Sequence, residues 1–381
     1  MSLIVFLNSA RSKLDFNDTQ LINFTYKLIE YTGRKFTQRK LSSFYDHCDK
    51  NQDINKFLVQ ELINSKIIIH KKEYYCEKED ESVLSDLIFQ CELCGESVNN
   101  NYHEYEDTYL IRKDLTHLIR KVNLNMESEQ YIDSPFMYNL KELVKNKDHI
   151  IPFFGAGLSI PLGFPSWSNL LLQLIDYIQP EFQPPYRQYI KDGDLLKALN
   201  YLKDHSTLST EDMVKKKIVE VLIEMSSKTP STKDNNYNDL YSLRSNFYMT
   251  TNYDNSFTEL ATKLNRLAIP LMGNDISDHQ KLHRENRQRV IHLHGNIDKP
   301  DTMIVTEDDY NNLYNDQKFQ INLQSIMSSK SFLFLGFSFS DEFFEKIYID
   351  VISKIKGIHF LIAPNVEYKD ARELAKKTFM L

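Results

Sequence analysis

Four short segments carry the residues whose types could do chemistry together: Gly155-Ala156-Gly157-Leu158-Ser159, Thr251-Asn252-Tyr253-Asp254, Leu293-His294-Gly295 and Gly336-Phe337-Ser338. As a set they suit a nucleotide. Closely spaced glycines let a backbone approach a pyrophosphate, and the amides at a helix N-terminus stabilise its charge. A buried asparagine amide can hold a water and a ribose hydroxyl at once, which cleavage of a glycosidic bond requires. A histidine with a pKa near neutrality polarises a hydroxyl or activates water. Taken singly, each segment has a plainer reading: a tight strand-to-helix turn, an Asn-Tyr-Asp turn, a packed core histidine. The ordered set converges on one site. Its spacing is not Gly-x-Gly-x-x-Gly, because Ser159 and Ile160 follow Gly157, so the usual dinucleotide fingerprint is incomplete.

Each segment follows an apolar run, so each is expected where a strand ends. Strands are predicted over 149–154, 246–250, 289–293, 331–335 and 357–362, with helical spacing in Leu170, Leu171, Leu174, Ile175 and Ile178. The gaps leave room for crossover helices. The expected fold is therefore α/β, a Rossmann-like parallel sheet with helices on both faces. Polar stretches at 226–238 and 273–288 read as loops or insertions. Alternation turns His292 to the same face as His294, but only His294 abuts a glycine, so His292 is read as a packing or supporting residue.

The four segments resemble the sirtuin-like family. That family's pattern is Gly-Ala-Gly, a hydrophobic residue and Ser, then Gly-hydrophobic-Pro; here Gly155 to Ser159 is followed by Gly163-Phe164-Pro165. Where sirtuins continue with Asp-Phe-Arg, this chain has Ser166-Trp167-Ser168. Trp167 reads either as an aromatic wall over a nicotinamide pocket or as core packing. The resemblance implies catalytic roles for Asn252 and His294 and places Asp254 beside the nicotinamide amide. It implies cofactor contacts for Gly155, Ala156, Gly157, Ser159, Trp167, Gly336 and Ser338. Asp341 is open between that role and capping the next helix, and residues 361–365 resemble the final strand and adenine-side loop.

Sirtuin deacylases carry a zinc ribbon of two Cys-x-x-Cys pairs between the catalytic histidine and the Gly-x-Ser turn. No cysteine lies between His294 and Gly336. The Thr-Thr-Asn-Tyr-Asp and Pro-Ser-Trp variants look instead like the sirtuin-like NADases of bacterial anti-phage defence. The resemblance then implies NAD as substrate, hydrolysed to nicotinamide and ADP-ribose in an abortive-infection response. The leaving pyridinium is already cationic, so no catalytic metal is expected. It also implies a homo-oligomer and a HerA-like ATPase as partner. The alternatives are an NAD-dependent protein deacylase and a non-catalytic NAD or ADP-ribose sensor that binds DNA or a protein.

The chain of 381 residues divides by character near 125–135, giving an N-terminal region 1–130 and a catalytic region 131–381. The first reads as a small, mainly helical, winged-helix-like domain for regulation or assembly. Helical spacing runs through Leu21, Ile22, Phe24, Leu28 and Ile29 to a stop at Gly33, and again through Ile54, Phe57, Leu58, Leu62 and Ile63. Residues 66–75 read as a hairpin. The basic pairs Arg34-Lys35, Arg39-Lys40 and Lys71-Lys72 suit either phosphates or water, and with a net charge of -7 direct nucleic-acid binding is not expected. Four cysteines fit a reducing compartment, so the chain reads as cytoplasmic; no stretch reads as a signal peptide or a membrane span. Cys91-Glu92-Leu93-Cys94-Gly95 is half of a zinc site by spacing. Cys76 and His103 could complete it, as could His47 and Cys48, and packed or free thiols are the alternative.

Overall fold

The computed structural model describes residues 2–44, 52–85, 89–98, 103–228, 235–264, 269–273, 288–327, 330–337, 358–367, 369–372 and 379–380. Ser338, Asp341, His47 and Cys48 lie outside the described residues, as does most of the polar stretch 273–288. The chain forms two compact units, Met1–Met137 and Tyr138–Leu381. No helix among the described residues is long and apolar enough to cross a membrane.

The N-terminal unit begins with helices Ser2–Leu14 and Asp18–Glu30. A reciprocal capping box starts the second: the Asn17 side chain accepts from the Gln20 amide, and the Gln20 side chain accepts from the Asn17 amide. Its buried face is Leu21, Ile22, Phe24, Thr25 and Leu28. Helices Gln52–Asn64 and Thr116–Tyr131 complete the helical layer, and the change of character at 125–130 falls inside the latter. Strands β1 (Lys35–Thr37), β2 (Ile68–Cys76), β3 (Glu81–Ser85) and β4 (His103–Ile111) make an antiparallel sheet in the order β1-β4-β2-β3. The hairpin expected within 66–75 is instead one unbroken arm. That stretch has no Gly, Asn or Pro to turn on, and the turn falls at 77–80, where Asp80 takes a left-handed φ of 51°.

The C-terminal unit is built on seven strands. They are β5 (Ile150–Phe154), β6 (Phe247–Thr250), β7 (Ile269–Met272), β8 (Arg289–His292), β9 (Ser331–Leu335), β10 (His359–Ile362) and β11 (Phe379–Met380). Every pairing is parallel, as expected, and the order is β11-β10-β9-β5-β6-β8-β7; β7 and β11 are additional to the five expected strands. All five residues of β5 are buried. Successive side chains of a strand face opposite ways, so Phe153 enters one core, with Leu171, Tyr186, Leu199, Ile218 and Phe332, and Phe154 the other, with Tyr237, Tyr248, Phe257 and Val290. Helices therefore cover both faces.

The register decides where the chemistry sits. Leu335 of β9 pairs with Phe154 of β5, Phe154 with Thr250 of β6, and Thr250 with His292 of β8. These four strand ends form one row. Gly336, Gly155, Thr251 and Leu293 leave it side by side, and the point where the strand order reverses lies between Gly336 after β9 and Gly155 after β5. In parallel sheets that point is the usual ligand crevice.

Candidate active site

No α-helix follows the glycine loop directly, contrary to expectation. Two single 3-10 turns, Ala156–Leu158 and Ile160–Leu162, intervene, and the helix Trp167–Gln173 starts only at its cap, Ser166. Pro161 and Pro165 supply no amide hydrogens, which prevents a helix from propagating out of the loop. The loop's amides also do other work. Gly155 N–H donates to Leu335 O at 2.9 Å, Gly157 N–H to Gly336 O at 2.9 Å, and Ser159 N–H to Ala156 O at 2.9 Å. The glycines let two backbones touch. A Cβ on Gly157 would lie 2.8 Å from Gly336 O and 2.9 Å from Gly336 Cα, with only backbone to give way. Gly157→Ala is therefore expected to lower stability by about 1–3 kcal/mol, read as a fall of several degrees in the thermal midpoint. An unchanged midpoint would show that the two loops are not held in contact.

Asn252 stands one residue beyond the Thr251 junction and is buried. Its amide nitrogen donates to Gly155 O at 3.0 Å and to Ser159 Oγ at 2.9 Å. A carbonyl oxygen can only accept, so the contact with Gly155 O fixes which end of the amide is nitrogen. Ser159 Oγ donates to Asp254 Oδ2 at 2.6 Å and lies 2.7 Å from Tyr237 OH. Burial, and then the Asp254 charge, push the Tyr237 pKa well above its ordinary value, so the phenol keeps its proton and donates to Ser159. Ser159 thus gives its one hydrogen and fills both lone pairs. Asp254 Oδ1 accepts from the Ser256 amide at 3.0 Å. The network leaves one atom over: Asn252 Oδ1 is buried with no hydrogen-bond partner among the described residues.

His294 does not join this network. Its Nε2 lies 2.8 Å from Tyr314 OH and its Nδ1 3.2 Å from Tyr310 OH, within hydrogen-bond reach of one phenol on each side. Burial alone pushes its pKa down to about 3, and raises that of Tyr314 well above the ordinary phenol range. Both tyrosines belong to the helix Glu307–Tyr314, one turn apart on one face. That helix is fixed by a second capping box between Thr306 and Asp309, and Asp309 also takes an ion pair at 2.8 Å from the nearly buried Lys215. Gly295, at φ 79°, makes the turn after His294; a Cβ there would lie 2.2 Å from Thr302 O, so no other residue fits.

His292 is the histidine that touches Asn252. Its Nδ1 donates to Asn252 backbone O at 3.0 Å, and burial lowers its pKa, so Nε2 is an acceptor. It has no partner among the described residues. Trp167 is half-buried and packs edge-on to Tyr253 with ring centroids 5.6 Å apart. A cavity of about 500 Å³ shares Tyr237 with the polar network and is lined also by Leu162, Phe164, Asn255, Ser256 and Ile297. Gly155, Ser159, Asn252, Asp254 and Gly336 are thus brought together, and Ala156 opens the turn between them. Tyr237, Tyr310 and Tyr314 were not among the expected site residues. Only the four-residue spacing of the last two, on a helix soon after His294, offered a signal.

A family described as SIR2-like domain matches residues 246–380. Three curated relatives share the name NAD(+) hydrolase ThsA. That of Cytobacillus dafuensis is 28% identical over 211 residues, 55% of this chain and 39% of the relative. That of Acinetobacter baumannii (strain 532279) is 28% identical over 223 residues, 58% and 41%. That of Enterococcus faecium is 29% identical over 204 residues, 52% and 39%. The chain spans about two fifths of the length of these relatives. With a parallel sheet, four aligned strand ends and this match, the chain carries a SIR2-like, that is sirtuin-like, domain.

Proposed function

We propose that the C-terminal unit hydrolyses NAD at the nicotinamide N-glycosidic bond, giving nicotinamide and ADP-ribose. The observation that carries the proposal is the unspent acceptor Asn252 Oδ1, held rigid by its own nitrogen against the glycine loop that leaves β5. A buried carbonyl oxygen without a partner costs about 1–3 kcal/mol, a cost that a water or ribose hydroxyl arriving with substrate removes. The name shared by the relatives points to the same reaction.

The proposed reaction is dissociative. The C1′–N bond breaks, its electron pair neutralises the pyridinium, and water adds to the oxocarbenium-like carbon, releasing one proton. Asn252 Oδ1 accepts a hydrogen bond from that water or from a ribose hydroxyl. His294, kept neutral by burial, is the proposed proton acceptor, and acting so requires one ring nitrogen to exchange its tyrosine for substrate. Gly155, Ala156 and Gly157, with Gly336 and Ser338, form the proposed seat for the pyrophosphate and adenosine half. Binding there positions the reacting end. The cavity beside Tyr237, with Leu162 and Phe164, is the proposed seat for the flat nicotinamide, and Trp167 and Asp254 are further proposed contacts.

The N-terminal unit is proposed as the element that restrains or assembles this activity, in a defence role that ends in NAD depletion and with an ATPase partner of HerA type. The test is release of nicotinamide from NAD by the full chain, measured with and without the product of the neighbouring gene. Release is expected from wild type and not from His294→Ala. No release under either condition, with NAD still bound, would favour a sensor.

A further inference from the structure

The link from β3 to β4 has no helix or strand of its own among the described residues, yet it packs a small core against the sheet. That core is Tyr74, Cys76, Cys91 and Val98, with Val83, Leu93 and Cys94 around it, so nearly half of its members are cysteines. Cys76 ends β2 and His103 begins β4, and the two are directly opposed in the antiparallel register. Cys91 and Cys94 reach them from the link. The three sulfurs and one imidazole nitrogen all lie within 4.8 Å of one another, and Cys94 Sγ is 3.4 Å from His103 Nε2. Cys76, Cys91 and His103 are buried and Cys94 is half-buried.

The local backbone has the shape of a metal knuckle. Cys91 Sγ accepts the amides of Leu93 and Cys94, both at 3.4 Å. The Gly95 amide closes the turn on Cys91 O at 3.0 Å, with Gly95 in the left-handed region at φ 74°. Amides aimed at a sulfur favour its thiolate form, the form that binds metal. The Tyr74 ring, edge-on to His103 at 5.8 Å, holds the imidazole in place.

We propose that Cys76, Cys91, Cys94 and His103 bind one zinc ion as a closed, four-ligand structural site. Soft thiolates and an imidazole select zinc over calcium or magnesium. With bonds of about 2.3 Å to sulfur and about 2.0 Å to nitrogen, a tetrahedral ion sets its ligand atoms roughly 3.5 Å apart, which the Cys94–His103 pair already meets. Four protein ligands leave no open position, so the ion does no catalysis. It pins the link to the ends of β2 and β4, where apolar packing alone is thin. This is not the deacylase ribbon, which would lie between His294 and Gly336, in the other unit. Among the described residues no other group of this kind occurs.

The test is metal analysis of the full chain purified without added metal. About one zinc per chain is expected, and exchange for cobalt should give the intense visible bands of a tetrahedral thiolate complex. Cys91→Ser with Cys94→Ser should lose the metal. Cys48→Ser, the one cysteine outside the set, should keep it. If the double variant does not fold, the cobalt spectrum of wild type decides alone. Wild-type protein without zinc and without a tetrahedral cobalt spectrum overturns the site, and full zinc in a folded double variant overturns the ligand set.

Discussion

Asn252→Ala is expected to lower nicotinamide release by roughly 10²–10³-fold, the range for loss of one preorganised polar group at a reacting centre. The group at stake is Oδ1, the only atom of the network left without a partner among the described residues. An interaction made in the transition state lowers kcat and kcat/KM together, and binding of the product ADP-ribose should be little changed. Removing the amide also deprives Gly155 O and Ser159 Oγ of a donor, so a modest loss of stability accompanies the change. Asn252→Asp separates the two effects. It keeps an acceptor in the Oδ1 position but turns an acceptor-only carboxylate toward the Gly155 carbonyl, so it should lose at least as much stability as the alanine while keeping more turnover. Near-normal turnover by the folded alanine variant would remove Asn252 from the mechanism.

The second large effect is on stability against acid. Burial holds the His294 pKa at about 3, against an ordinary value of about 6.5. Between those values the unfolded chain takes up a proton that the native state refuses. Stability is therefore complete above about pH 6.5 and falls as pH drops, with a slope approaching about 1.4 kcal/mol per unit from this one group. His292, its pKa also lowered by burial, acts in the same direction. Urea unfolding at pH 7 and pH 5 measures the difference. His294→Gln should lose less on acidification than wild type, by about 2 kcal/mol. Equal losses in the two proteins would mean that His294 is not held neutral between its tyrosines.

The sheet centre was legible because its strands are buried on both faces. Runs such as Ile150-Ile151-Pro152-Phe153-Phe154 and Ser331-Phe332-Leu333-Phe334-Leu335 show no alternation, and each stops at a residue of special chemistry. The edges were not. β7 is Ile-Pro-Leu-Met, only partly buried and carrying a proline, and β11 is two residues long. The network around Ser159 was half legible. Ser159, Asn252 and Asp254 belong to motifs, whereas Tyr237 arrives from the end of a polar stretch with no local pattern. The tyrosine pair is illegible for another reason: what it does to His294 depends on where one helix packs. The metal-like cluster was legible as a Cys-x-x-Cys half with two open ways to complete it, because Cys76 and His103 become neighbours only through strand register.

The contact between Gly157 and Gly336 has a consequence for synthesis. β5 is made well before β9, and the edge of β5 that pairs with β9 stays uncovered until β9 follows. A nascent chain complete through Gly295 already holds the segments of Asn252 and His294, but its glycine loop has no Gly336 backbone to lean on. A product terminated before β9 would lack that support. In the order of translation the glycine loop gains its backbone partner after the segments of Asn252 and His294 are made, so the proposed site is complete only once β9 has followed.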